Sequence, residues 1–407
     1  MTLGQRSVGR AIGWIAALAL AACAHMQAPP PGANSKDIET LLGRLDLERY
    51  KATIKGLAAF GDRRQGTSRN RAAIDWIEAQ LKSYGCANTE RLTYAFPPPP
   101  PPPPIAPVGV RNPGPDVPRA VGGGRPRGVR NTPVPNNDID AQPDARLRAL
   151  NAQEPAAGER QEVYCTKIGA TRPGEMYIVA AHMDGRGFGE AANDDGSGTS
   201  LVMELARVFS SPDVQTERSI RFILWNNEET GLNGARAYVE QRKALQGKEE
   251  PLGSGRFPEP KWLGMIQHDM MLFDHGAPRA DGTVSKEQRP EADINIEFQT
   301  QSIFAGQSQA LAWAFASANE KYAGDYPAVI GSHMTNTDST PFQDSVASIS
   351  LRENERGTEI GSGWDPHWHQ PTDTYANFSD KDFLLGLNAA QTTLGAIAEL
   401  AGASLKP

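Results

Sequence analysis

Predicted strands alternate with predicted helices along most of this 407-residue chain. The strand pattern is clearest at Met176 to His182 and at Ile220 to Trp225, two continuous apolar runs that end beside polar residues. The spacing of apolar residues predicts helices from Ser197 to Phe209 and from Asp380 to Ala401. Such alternation indicates an α/β fold, a three-layer sandwich with a mostly parallel central sheet.

The first 22 residues have the composition of an export signal. Two arginines precede the apolar stretch 11–22, which is too short for a strong transmembrane helix, so we interpret residues 1–22 as a signal peptide. The stretch ends in small residues directly before Cys23, which resembles the bacterial lipobox. The lipobox implies that Cys23 becomes the lipidated first residue of the mature chain. The alternative is cleavage of a simple signal peptide, with Cys23 incidental.

The lipobox also implies a location. Ala24 follows Cys23, and at this position of such lipoproteins an aspartate commonly retains the protein at the inner membrane. We therefore expect an exported protein, held to the bacterial cell envelope by an N-terminal lipid anchor, on the periplasmic side of the outer membrane. Residues 23–36 are expected to form a flexible tether. The net charge of −7 argues against nucleic acid as a partner.

A proline-rich block interrupts the pattern between Phe96 and Gly158, where 17 prolines occur, including the run 97–104. Proline lacks the N–H that helices and central strands require, and the block has few large apolar residues. We expect residues 97–158 to be a disordered insertion within a single domain that spans residues 37–407. Cys86 and Cys165 flank the insertion and could form a disulfide or remain buried thiols.

Polar residues collect where the predicted strands end. Five clusters, all after a strand or in the loop before the last helix, contain His182 and Asp184, Asp194, Glu228 and Glu229, Asp269, and His369. Parallel strands bring their carboxyl ends to one crevice, and repelling carboxylates gathered there need a cation. Two imidazoles and three of these carboxylates suit zinc, and one shared carboxylate would hold two zincs about 3.5–4 Å apart.

The order of these motifs is recognisable. His-x-Asp, Asn-Asp-Asp-Gly-Ser-Gly, Glu-Glu, Asp-Met and His-x-x-x-Asp-Thr follow one another as in the M28 family of dizinc exopeptidases, and the chain resembles the aminopeptidase Y type. The resemblance runs from about Asp37 to Ala401 and skips the proline-rich block. It implies the fold of the zinc-dependent exopeptidases, which is phosphorylase/hydrolase-like, and two zinc ions per chain.

The resemblance also implies a role for each ligand position. His182 and Asp269 would bind one zinc, Glu229 and His369 would bind the other, and Asp194 would bridge both. The activity implied is that of a metallopeptidase, an aminopeptidase that hydrolyses N-terminal residues of peptide substrates.

Three further carboxylates are expected to support the reaction. Asp184 would orient the imidazole of His182, and Asp373 is a candidate for a similar role in the last loop. Glu228 is the expected general base: it would take a proton from the water held by the two zincs and deliver it to the leaving amine.

The chain departs from the family pattern at two positions. Ser339 stands where many relatives have a histidine, and Trp368 precedes His369 where some members have a tyrosine that stabilises the oxyanion. The identity of the oxyanion donor therefore stays open.

Two other functions remain alternatives. Glutaminyl cyclases share the fold but usually keep a single zinc, and some M28-like domains are non-catalytic binding modules. The five filled ligand positions favour the peptidase. The sequence leaves open the preferred residue, the end that is trimmed and the oligomeric state.

Overall fold

The computed structural model describes residues 34–96, 134–273, 294–332, 336–353 and 365–406. Within these ranges the chain forms eight α-helices: α1 (Ser35–Leu42), α2 (Leu47–Ala58), α3 (Ser68–Ser83), α4 (Ala145–Asn151), α5 (Gly196–Phe209), α6 (Asn233–Arg242), α7 (Ala305–Tyr322) and α8 (Asp380–Ala401). The strands of the same ranges are β1 (Thr89–Phe96), β2 (Gly158–Lys167), β3 (Arg172–His182), β4 (Val214–Thr216), β5 (Arg218–Trp225), β6 (Lys261–His268), β7 (Ile294–Glu297), β8 (Ala328–Gly331), β9 (Ser348–Glu353) and β10 (Ala403–Leu405).

Eight of these strands form one sheet in the order β1-β2-β5-β3-β6-β9-β7-β8. The four central strands, β5, β3, β6 and β9, run parallel, whereas β1, β2 and β7 pair antiparallel to their inner neighbours. Strands β4 and β10 form a separate antiparallel pair. The predicted fold class is confirmed, and the parallel pairing is concentrated at the centre of the sheet.

The central sheet separates two apolar cores. Along β3, Tyr177, Val179 and Ala181 pack into the larger core, while the alternate residues Met176 and Ile178 pack into the smaller one. This alternation follows from the two-residue period of a strand. The larger core includes buried side chains of α1, α2, α3, α5, α7 and α8, and the smaller one is covered by α6. The chain is therefore a three-layer sandwich with unequal outer layers.

The carboxyl ends of the central strands meet at one edge of the sheet. His182, the last residue of β3, is in register with Trp225 at the end of β5, and the preceding Ala181 is in register with His268 at the end of β6. The loops that follow these three strands therefore leave the sheet side by side, which is the place where α/β folds build their sites.

Part of the insertion that the sequence predicts to be disordered is ordered. Disorder was expected over residues 97–158, but residues 134–158 are ordered and include α4. Gln142, Leu147 and Asn151 are buried there. The prediction of disorder is wrong for this segment because side-chain amides, rather than apolar bulk, fix it. Residues 97–133 lie outside the described residues.

The N-terminal predictions fall mostly outside the described residues. The signal peptide 1–22 and Cys23 are among the residues not described. The predicted tether 23–36 is wrong at its C-terminal end: Asn34 caps α1 and the helix begins at Ser35, so residues 34–36 belong to the folded domain. No helix in the described part of the chain combines the length and hydropathy that a bilayer span requires.

Cys86 and Cys165 form a disulfide, with their Cα atoms 6.0 Å apart. Cys165 lies on β2 opposite Thr89 of β1, so the bond joins the chain just before β1 to the neighbouring strand. Of the two alternatives that the sequence leaves open, the structure shows the disulfide.

Candidate active site

One group of side chains that could hold a metal ion forms around His182 at the end of β3. Its Nε2 atom lies 3.3 Å from Oδ1 of Asp194 and 3.7 Å from Oδ1 of Asp269. Asp194 directly precedes the residue that caps α5, and Asp269 follows β6. All three side chains are buried. One ligand atom from each lies within 4.8 Å of the others, which is compact enough to surround one metal ion.

A second group forms around His369, in the loop before α8. Its Nε2 atom lies 3.0 Å from Oδ2 of Asp194 and 2.9 Å from Oε2 of Glu229, which follows β5. Asp194 thus belongs to both groups and presents a different oxygen to each imidazole. The structure brings together all five residues that the resemblance assigns as metal ligands.

The orientation of His182 differs from the expectation. Its Nδ1 atom lies 2.9 Å from the backbone carbonyl oxygen of Asp184, whereas the carboxylate of Asp184 is 4.0 Å away. That carboxylate instead accepts a hydrogen bond of 3.0 Å from the backbone N–H of Glu228. Asp184 therefore orients the imidazole through its main chain, and its side chain fixes the loop that carries Glu228 and Glu229.

Asp373 holds the loop of the shared ligand. Its two carboxylate oxygens accept hydrogen bonds from the backbone N–H groups of Asn193, at 2.8 Å, and of Asp194, at 3.1 Å. The side chain is buried, so these bonds lie away from water. Asp373 was a candidate to support the last loop, and the structure shows that it supports Asp194.

Two close contacts fix the loop of His369. The indole of Trp368 stacks on the His369 imidazole with ring centroids 3.8 Å apart. The backbone of His369 also passes close to Gly187: a Cβ atom on Gly187 would lie 2.4 Å from the carbonyl carbon of His369. Gly187 also has a φ of +94°, which favours glycine. A side chain at this position would push the His369 loop away from the other ligands.

Two arginines complete the site and were not predicted from the sequence. Arg352 on β9 donates a 2.8 Å hydrogen bond to Oδ2 of Asp269. Arg63 is buried in the turn after α2 and donates to three backbone carbonyls near the ligands, those of Met183, Glu190 and Ala191. Arg352 is the next-to-last residue of β9, and Arg63 lies in the turn after α2. Neither belongs to the ordered motifs that carry the family resemblance, so those motifs gave no signal for them.

The electrostatics of the cluster favour a bound cation. Burial raises the pKa of Glu228 well above its usual range, and the charge of Glu229 adds to this effect. Burial raises the pKa of Glu229 to about 7, and the charge of Asp194 acts in the same direction. For His369, burial lowers the pKa, but Glu229 and Asp194 outweigh it and raise it to about 9. Carboxylates this close destabilise one another unless positive charge lies between them.

The donor atoms fit zinc. Each group supplies one imidazole nitrogen and two carboxylates, which are ligand types that zinc accepts in proteins. Oε1 of Glu229 is buried and makes no hydrogen bond to any of the described residues, so it retains its capacity to bind a cation. The residues present therefore fit the metal that the family resemblance implies.

Residues 164–391, more than half of the chain, match the model of peptidase family M28. The chain belongs to this family. Over 66 residues it is 46% identical to aminopeptidase YwaD of Bacillus subtilis, a match that covers 16% of this chain and 14% of YwaD. The family predicted from the ordered motifs is thus confirmed, and the match to this curated relative spans a small part of that protein.

Solved structures share the M28 fold at low sequence identity. BSAP, a zinc aminopeptidase from Bacillus subtilis, aligns with a TM-score of 0.57 and 17% identity, covering 87% of this chain and 95% of that structure. The glutaminyl cyclase of Porphyromonas gingivalis aligns with a TM-score of 0.53 and 17% identity, covering 87% of this chain and 98% of that structure. These alignments show that peptidase and cyclase folds are both similar to this one.

Replacing Asp373 by alanine is expected to weaken zinc binding about 10–100-fold, because the backbone around Asp194 loses two hydrogen bonds that position its carboxylate. Competition with a chromogenic chelator measures the affinity, and circular dichroism checks the fold. Asp325→Ala, at an exposed aspartate, is the control and should bind as the wild type does. Equal affinity in the two variants would contradict the role of Asp373.

Proposed function

We propose that this chain is a dizinc aminopeptidase that removes N-terminal residues from peptides. The observation that carries the proposal is the shared carboxylate of Asp194, whose two oxygens face two different imidazoles. One carboxylate placed in this way is suited to bridge two metal ions. The membership of family M28 and the fold shared with a zinc aminopeptidase support it.

The ligands divide between the two ions. His182 and Asp269 would hold one zinc, Glu229 and His369 the other, and Asp194 both. When bound, zinc polarises a substrate carbonyl and makes a water molecule more acidic. Arg352 holds Asp269 in place, and the pKa of Asp269 stays below its usual range because Arg352 and His182 outweigh the effect of burial.

Glu228 is the proposed general base. Its backbone N–H is fixed by Asp184, and its half-buried side chain neighbours the ligand Glu229. Consecutive side chains diverge, so Glu229 can face the metal while Glu228 faces the attacking water. Glu228 takes a proton from that water as it adds to the peptide carbonyl, and then delivers the proton to the amine that leaves.

A glutaminyl cyclase is the second candidate, because the fold aligns with the cyclase of Porphyromonas gingivalis almost as well as with BSAP. The two donor groups favour the peptidase, since this chain gathers donors for two ions. The same filled positions argue against a binding module without metal.

Glu228→Gln should retain its zinc and lose about 10²–10⁴-fold in turnover, because glutamine cannot accept the proton of the attacking water. Zinc content is measured by atomic absorption and turnover with leucine p-nitroanilide. The control is Glu240→Gln, at an exposed glutamate of α6, which should leave both unchanged. A fully active Glu228→Gln enzyme would eliminate Glu228 as the base.

The zinc-loaded enzyme should hydrolyse peptides with a free amino terminus, whether or not the carboxyl end is amidated, and should leave N-acetylated peptides intact. Mass spectrometry of the products identifies the end that is trimmed. A peptide with N-terminal glutamine separates the two candidate functions: the peptidase releases glutamine, whereas a cyclase releases ammonia and leaves the chain otherwise whole. Cleavage of N-acetylated peptides alone would overturn the amino-terminal assignment.

We also propose that Cys23 carries a lipid that anchors the exported protein to the cell envelope. The proposal rests on the small residues directly before Cys23, which resemble a lipobox. The full chain, expressed in a Gram-negative host with labelled palmitate, should take up the label and sediment with membranes. Cys23→Ala should do neither. If the wild-type chain takes up no label and is released as a soluble protein, the lipid anchor is excluded, and residues 1–22 are a simple signal peptide.

A further inference from the structure

A cleft of about 290 Å³ opens beside the ligand Glu229 and the loop of Asp184. This volume is at the lower end of the range for small-molecule sites, about 300–1,000 Å³, so the cleft suits a short substrate. Its lining includes two arginines, Arg64 and Arg186, and Asn137 of the ordered part of the insertion. Positive charge therefore lies within the same cleft as the carboxylates of the site.

Arg186 has no carboxylate partner among the described residues. It follows Asp184 by two positions and is half-buried. Its Nη2 atom donates a 3.1 Å hydrogen bond to the side-chain oxygen of Asn137, a neutral acceptor. A guanidinium has five N–H donors and cannot lose its charge, so most of the donors of Arg186 remain available in the cleft.

Arg64 is only partly neutralised. Its guanidinium lies 4.4 Å from the ring of Phe188, and its Nη2 is 3.8 Å from Oδ2 of Asp62. Asp62 also pairs with Arg69, and it accepts a hydrogen bond from the backbone of Phe188. One carboxylate thus serves two arginines. Asp62 therefore does not fully neutralise Arg64, whose guanidinium lines the cleft together with that of Arg186.

We propose that Arg186 and Arg64 bind a carboxylate on the part of the substrate that leaves, so that the preferred substrates are dipeptides. This inference rests on the proposed aminopeptidase function. In a dipeptide the C-terminal carboxylate is one residue from the scissile bond, and a small cleft that contains both Glu229 and the arginines can hold the two ends at once. Arginine is well suited to bind a carboxylate through two parallel hydrogen bonds.

The ordered part of the insertion helps to position Arg186 for this selectivity. Asn137 holds the Arg186 guanidinium, and Pro155 of the same ordered segment also lines the cleft. The segment is tied to the active-site loops by two further contacts: the backbone N–H of Asn136 donates to the carbonyl of His369, and Gln142 donates to the carbonyl of Phe188. Asn137 is thus a positioning residue for Arg186.

The experiment compares four substrates on the zinc-loaded enzyme: leucylglycine, leucylglycinamide, leucylglutamate with its α-carboxyl amidated, and leucine p-nitroanilide. The wild type should show a KM for leucylglycine at least tenfold below that for leucylglycinamide. Arg186→Gln should raise the KM for leucylglycine about 10–100-fold, the range expected when a hydrogen bond to a charged group is lost. It should leave leucylglycinamide and the arylamide unchanged.

Three variants and one substrate sharpen the test. Arg186→Lys should recover part of the loss, and Asn137→Ala should raise the KM for leucylglycine less than Arg186→Gln does. Arg146→Gln, at an exposed arginine of α4 in the same inserted segment, is the matched control and should behave as the wild type. If the amidated leucylglutamate matches leucylglycine, the carboxylate recognised can also be an acidic side chain.

A wild-type enzyme with equal KM values for leucylglycine and its amide would overturn the proposal, as would an Arg186→Gln variant that changes both alike. Failure of the proposed function gives a different result, since leucine p-nitroanilide, which carries no carboxylate, would then not be hydrolysed. In that case, calorimetric titration with a reduced-bond analogue of leucylglycine and with its amide decides whether the arginines select a carboxylate. Equal affinities for the two would refute the inference.

Discussion

The carboxylate of Asp194 is shared between two imidazoles, and most of the surrounding structure serves to keep it there. Its oxygens lie 3.3 Å from Nε2 of His182 and 3.0 Å from Nε2 of His369, although these histidines are 187 positions apart in sequence. The first is fixed by strand β3 and the second by a loop that packs against Gly187. Asp373 helps to hold Asp194 between them by accepting hydrogen bonds from the backbone N–H groups of Asn193 and Asp194.

Buried carboxylates do two kinds of work at this site. Four of them accept hydrogen bonds from backbone N–H groups of loops that carry or border the candidate ligands: Asp184, Asp195, Glu353 and Asp373. The ligand carboxylates are left to face one another. Each backbone bond is made away from water, where an unpaired N–H would be costly. The loops are thereby held in position, although neighbouring carboxylates such as Asp194 and Glu229 repel one another when no cation lies between them.

The sequence predicted the fold, and it predicted five candidate ligand positions that the structure brings together, because both depend on short-range patterns. The apolar run before His182 defines a buried strand, and the polar residue at its end is then placed by topology. The route by which His182 is oriented could not be predicted, because it depends on which atom of Asp184 lies nearer to the imidazole. Arg352 was missed for a similar reason: its contact with Asp269 joins residues 83 positions apart, on β9 and after β6.

The insertion shows where composition misleads. Its proline content predicted disorder throughout, yet Gln142 and Asn151 bury their amides and donate to the carbonyls of Phe188 and Gly189. Such a segment needs little apolar surface, since its hydrogen bonds satisfy loop carbonyls that would otherwise be exposed or unpaired. Because those carbonyls belong to the loop that carries Arg186, ordering the insertion also orders one wall of the cleft. Order in this segment and the shape of the cleft are therefore coupled through the same few backbone atoms.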